Sequence, residues 1–110
     1  MGQKGRRQED DRPDSAKDRE QTTQLLSALK HPLRRQILKA VGTEDAISPR
    51  EISQAIGQPL SNVSYHVRVL AECDAITLVS TKPVRDSTQH FYCLDIEAPW
   101  ARQILGLGHR

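Results

Sequence analysis

Aromatic residues are scarce in this chain: one Trp, one Phe and two Tyr in 110 residues, within a hydrophobic fraction of 36%. That supply supports one small core in one domain, and a small core favours association with a second copy. Cysteine is nearly absent. Cys73 and Cys93 stand twenty residues apart and read as small apolar residues, Cys93 in a half-buried strand, with a redox switch as the lesser alternative. No apolar stretch near the N-terminus has the length of a signal peptide, and no run approaches a membrane span, so the expected location is the cytoplasm. Glycine-rich phosphate loops and repeated His or Cys spacings are missing too, and the Asp and Glu residues lie mostly in the N-terminal tail or at helix ends. The chain is therefore not expected to be an enzyme. Nor is there a strong excess of charge of either sign. The net charge is +2, and residues 1–20 hold six Lys or Arg and six Asp or Glu, so the tail is neutral and the rest carries the excess.

What is present begins with Ser48-Pro49-Arg50-Glu51, a capping box with proline at the first helical position. Ile52 and Ile56 give the helix that follows an apolar stripe, and Gly57 with Pro59 ends it. After a turn of about three residues, Ser61 is expected to cap a second helix. On it Leu60, Val63, Val67 and Leu70 cluster on one side, Ser61, Asn62, Tyr65 and Arg68 fall mostly opposite, and Ser64 and His66 lie on the flanks. Two short helices joined this way are the sequence form of a helix-turn-helix with its recognition helix. His66 reads either as a donor to a phosphate or base, or as a residue packed on the following hairpin.

That hairpin comes from two runs of β-branched and apolar residues, Ile76 to Thr81 and Gln89 to Leu94. The segment Lys82 to Thr88, with Pro83 and Asp86-Ser87, is expected to be a long loop, its Lys82 and Arg85 at the tip facing phosphates. Upstream, Gln21 to Lys30 carries Leu25, Leu26 and Leu29 at helical spacing. After His31-Pro32, the residues Leu33, Ile37, Leu38 and Val41 repeat the pattern, with Gly42 as a stop and Arg34, Arg35 and Lys39 on the solvated side. Ala98 to Leu107 forms a last amphipathic helix bearing Trp100, Ile104 and Leu107. The predicted fold is mainly α with a small β-hairpin, in the order α-α-α-α-β-β-α: a winged helix-turn-helix. The predicted boundaries are a disordered tail over 1–20, the winged domain over 21–97 and a C-terminal helix and tail over 98–110. The tail lacks apolar residues between Gly2 and Ser15 and cannot bury enough surface to order itself. It reads as a solubilising segment, with contact to DNA through Lys4, Arg6 and Arg7 as the alternative.

Ala28-Leu29-Lys30-His31-Pro32-Leu33-Arg34-Arg35-Gln36-Ile37-Leu38 resembles the entry pattern A-L-x-(H/D)-P-x-R-x-x-I-L of the ArsR family of bacterial winged-helix repressors. Ser61 to Leu70 is similar to that family's recognition helix, and Phe91-Tyr92-Cys93-Leu94 to its closing wing strand, so that the likeness spans roughly Leu25 to Leu94. The resemblance implies a homodimeric transcription regulator that binds double-stranded DNA and dimerises through its first and last helices, here through Leu25, Leu26, Leu29, Trp100, Ile104 and Leu107. Family members that sense metals use a cysteine pair on the helix before the turn, or Asp and His on the last helix. The corresponding helix here, Arg50 to Ile56, has no cysteine, and Asp95, Glu97 and His109 are a weak set for a soft or borderline ion. No metal and no cofactor are expected.

The DNA contacts are expected from Arg50, Ser61, Asn62, Ser64, Tyr65, His66, Arg68, Lys82 and Arg85. With a net charge this low, affinity has to come from their local placement rather than from a general basic field. The expected function is sequence-specific binding of an inverted-repeat operator by a homodimer, as a repressor. The alternative from another class is a winged-helix module that docks proteins and does not bind DNA.

Overall fold

The computed structural model describes residues 16–108. Its elements follow the predicted order: α1 (Ala16–Lys30), α2 (Pro32–Gly42), α3 (Pro49–Ile56), α4 (Leu60–Glu72), β1 (Ile76–Val84), β2 (Ser87–Leu94) and α5 (Pro99–Ile104). Proline opens α2, α3 and α5, where its fixed φ suits the helix and its missing N–H has no partner to lose. His31 caps α2, its Nδ1 accepting from the Leu33 amide at 3.2 Å. At α3 the capping box forms in both directions. The Glu51 amide donates to Ser48 Oγ at 3.2 Å, and the Ser48 amide donates to Glu51 Oε1 at 3.1 Å. Gly57 then ends α3 in the left-handed conformation, φ 70.

Ile37, Leu38 and Val41 of α2, Ile52 of α3 and Val63, Val67 and Leu70 of α4 meet in one core with Ile76, Leu94 and Leu105. Each such side chain removed from water contributes roughly 1.5–3 kcal/mol, and together they fix one side of α4 against α2 and α3. The opposite side of α4 faces solvent. β1 and β2 form an antiparallel pair from Ile76↔Leu94 to Val84↔Ser87, with a bulge between Leu78 and Ser80. The pair is tied to the helices at its base, where Ile47 and Tyr92 exchange backbone hydrogen bonds of 3.0 and 2.9 Å. The hairpin therefore stands as a wing beside α4.

Several boundaries differ from those predicted, each for a physical reason. The helix expected from Gln21 starts at Ala16, because Ala-Lys-Asp-Arg-Glu contains good helix formers that extend a helix already nucleated by Leu25 and Leu29. Residues 16–20 thus belong to α1 rather than to a disordered tail; the expectations for residues 1–15, and for His109, lie outside the described residues. Ser61 does not cap α4. Pro59, with φ -58 and ψ 140, turns the chain so that Leu60 is already helical, and no side chain caps this terminus. Gly42 does end α2, as its last residue, followed by the cap Thr43. A side chain there would collide with Leu107, whose Cδ1 lies 2.6 Å from where a Cβ would sit. Leu107 reaches that spot because α5 ends at Ile104 and the chain reverses at Gly106, φ 73.

The long wing loop is absent. The strands continue to a two-residue turn, Arg85-Asp86, and Pro83 lies within β1 opposite Thr88. In antiparallel pairing the rung next to the turn-closing pair is not hydrogen-bonded, so a residue without an N–H is accepted there. Arg34 and Arg35 are half-buried rather than solvated. Arg35 Nη1 donates to the Leu29 carbonyl at 2.6 Å, satisfying one of the orphan acceptors at the end of α1.

Candidate nucleic-acid interface

Because Val63, Val67 and Leu70 point into the core, helical geometry turns their neighbours outward. Ser61, Asn62, Tyr65 and Arg68 are exposed, Tyr65 by 54% of its surface. Ser64 is half-buried. It lines, with Arg68, His90 and Tyr92, an open groove of about 390 Å³ between α4 and the wing. Arg50 is exposed in the first turn of α3. Hydroxyl, amide, phenol and guanidinium groups thus share one convex face, the inventory that pairs with base edges and phosphates.

The wing carries two exposed cations. Lys82 is not at the tip, as predicted, but within β1 opposite Gln89, because the strands run on to the short turn. Arg85 is at the tip, with φ 42. A non-glycine residue in this region costs about 1–2 kcal/mol, and Gly, Asn or Asp would suit the turn better. The guanidinium is therefore held at the tip against the preference of its own backbone.

His66 does not pack on the wing. It lies against the start of α2, where Arg34 Nε donates to its Nδ1 at 3.1 Å. The His31 ring packs on it at 4.6 Å between centroids, and Tyr65 meets it edge-on at 5.2 Å. Burial, followed by the neighbouring His31 and Arg34 charges, lowers the His66 pKa from its ordinary value. His31, whose place beside Pro32 reads as a helix-start residue, caps α2, whereas the contact of Arg34 with His66 and the place of His90 in the groove were not read from the sequence. Arg34 lies one turn beyond the cap His31, which is visible in the sequence; its contact with a side chain 32 residues away is not.

The six residues expected at a dimer interface divide. Leu26, Trp100 and Ile104 are exposed, by 46, 37 and 52%. Leu25 and Leu107 are half-buried, and Leu29 belongs to the protomer's own core. Among the weak metal-ligand candidates, Asp95 accepts from the Thr77 hydroxyl at 3.0 Å and Glu97 is exposed. Cys73 and Cys93 are free thiols, and Cys73 donates to the Leu70 carbonyl. Among the described residues no helix is long and apolar enough to cross a membrane.

Capped helix, short turn, recognition helix and wing define a winged helix-turn-helix protein. Residues 29–79 match the family described as "Helix-turn-helix domain", and the fold is similar to that of winged helix-turn-helix regulators. It is similar to NolR from Sinorhizobium fredii, at 26% identity over 86% of this chain and 87% of that one, with a TM-score of 0.57. It is similar to the transcriptional repressor BigR from Xylella fastidiosa, at 28% identity over 84 and 88% of the two chains and a TM-score of 0.59. A homodimeric winged helix-turn-helix DNA-binding domain from Mycobacterium bovis, a possible ArsR-family regulator, shares the fold at 20% identity, covering 96 and 84% with a TM-score of 0.60. No curated protein sequence matches the chain.

Proposed function

We propose that this protein is a non-enzymatic, cytoplasmic repressor that binds an inverted-repeat operator as a homodimer, each α4 entering a major groove. The observation that carries the reading is the exposed polar face of α4, with Ser61, Asn62, Tyr65 and Arg68 on one side of a helix whose other side is locked in the core. In this reading Asn62 and Arg68 reach base edges, Ser61, Ser64, Tyr65 and Arg50 meet base edges or adjoining phosphates, and Lys82 and Arg85 hold flanking phosphates. Leu26, Trp100 and Ile104 supply the exposed apolar surface of a dimer formed by the first and last helices. Repression, dimerisation and DNA binding in the relatives described above support the assignment.

Fluorescence-anisotropy titration against random duplex at two salt concentrations tests it. Binding should weaken steeply with salt through counterion release. Lys82→Ala should weaken all duplexes alike and lower the salt slope by about 0.9. Arg68→Ala should cost roughly 1–3 kcal/mol on a selected operator if it pairs with guanine. A second reading, a protein-docking module, draws on the exposure of Tyr65, Leu78 and Val79, at 54, 47 and 50%. Absence of DNA binding at low salt would select it.

A further inference from the structure

His66 is the one candidate DNA contact whose ring is gripped from outside its own helix. Arg34 Nε reaches Nδ1 at 3.1 Å from the first turn of α2. A guanidinium N–H can only donate, so Nδ1 must present its lone pair, and the neutral imidazole then carries its hydrogen on Nε2. The partner decides the tautomer. His31 is restrained in the same way, its Nδ1 accepting from the Leu33 amide, and its ring packs on His66 while Tyr65 closes the other contact. Among the described residues, the ionisable groups against His66 are Arg34 of α2, His31 at the cap of that helix and Tyr65 from its own helix. Protonating Nδ1 would replace the acceptor by a second donor facing Arg34, so the contact exists only with the neutral ring.

We propose that Arg34 is a positioning residue for DNA recognition: it holds His66 in the neutral Nε2–H form and so makes that N–H a fixed, uncharged donor to an acceptor on the DNA. The proposal rests on the DNA-binding reading above. A neutral donor releases no counterion, so its loss lowers affinity without changing the salt slope, unlike the loss of a lysine or arginine at a phosphate. Arg34→Lys keeps the charge and removes the Nε donor that sets the tautomer.

Nitrogen NMR of the full chain with labelled histidine, free of DNA at pH 7.5, should show His66 with a bare Nδ1 and a protonated Nε2. Arg34→Lys should turn it into a tautomer mixture. A mixture in the unaltered protein, or a protonated Nδ1, would overturn the proposal. On duplex DNA, Arg34→Lys and His66→Phe should each lower affinity about tenfold, the effect of one hydrogen bond at the lower end of those to charged groups. The double variant should lose no more than either single one, because both changes remove the same donor. Thermal melts establish that each variant is folded. Loss confined to the selected operator identifies a base-edge acceptor, and equal loss on random duplex identifies a phosphate; both support the proposal. Additive losses, or an unchanged affinity in folded Arg34→Lys, would overturn it while leaving the DNA reading intact. Failure of the unaltered protein to bind any duplex would overturn the DNA reading and the donor's role together, whereas the tautomer is decided by the spectrum alone.

Discussion

Arg85 occupies a position that its own backbone disfavours, at the tip of the wing with φ 42. Asn adopts that conformation more readily, so Arg85→Asn should raise stability in urea denaturation by up to about 1 kcal/mol. The same change should weaken DNA binding and lower the salt slope by about 0.9 in anisotropy titrations. Opposite signs in the two measurements would show that the side chain is kept for its charge; a loss of stability would show that Arg85 supports the turn. His66 makes a second prediction at this scale. Burial, then His31 and Arg34, place its folded pKa below the ordinary 6.5, so the unfolded chain takes up the proton first. Stability held above that value should decline as the pH falls through about 6.5 and on through the lower folded value, below which this contribution is fully lost. Urea midpoints at neutral and acid pH should therefore differ less in His66→Phe than in the unaltered protein. An equal difference in both would assign the acid loss to other groups.

The α3–α4 turn shows what one residue does for two helices. Gly57 sits at φ 70, and a Cβ added there would meet no atom within 4 Å, so Gly57→Ala tests backbone conformation alone. It should cost about 1–2 kcal/mol in urea denaturation, and Gly57→Asn less. Equal stability for all three would mean that α3 ends without need of the left-handed residue. Signals of this local kind were legible in the sequence: the Ser48–Glu51 capping box, the Gly57 stop and the apolar spacing of Val63, Val67 and Leu70 all act within one or two turns. Tertiary effects were not. Pro83 lies in a strand because its rung needs no N–H, Gly42 is small because Leu107 folds back from the far end of the chain, and Arg34 is half-buried because it meets His66 across two helices. At the candidate site, the exposed face of α4 followed from periodicity. The true reach of the wing depended on strand register, which the Lys82–Thr88 composition disguised as a loop.

At the scale of the whole molecule the exposed apolar residues are unevenly distributed. Leu26 lies on α1, and Trp100 and Ile104 on α5, the two helices that pack least on the side formed by α4 and the wing. In the proposed dimer a second copy covers these residues and leaves both α4 faces free, so two-fold symmetry calls for an inverted repeat with half-sites about 34 Å apart, one helical turn, or a small multiple. Ile104 is the sharpest probe, being 52% exposed and thus cheap to alter in the folded protomer. Ile104→Asp would set two carboxylates near each other across a symmetric apolar contact while leaving the core untouched. Sedimentation velocity should show the dimer replaced by a folded monomer. That monomer should retain weak, salt-dependent binding to a single half-site and lose the added affinity of the full operator, because the second contact is no longer delivered at the effective concentration of a tethered partner. A variant that stays dimeric and binds the full operator normally would move the interface away from α5, and would leave Trp100 and Leu26 to be explained by another contact.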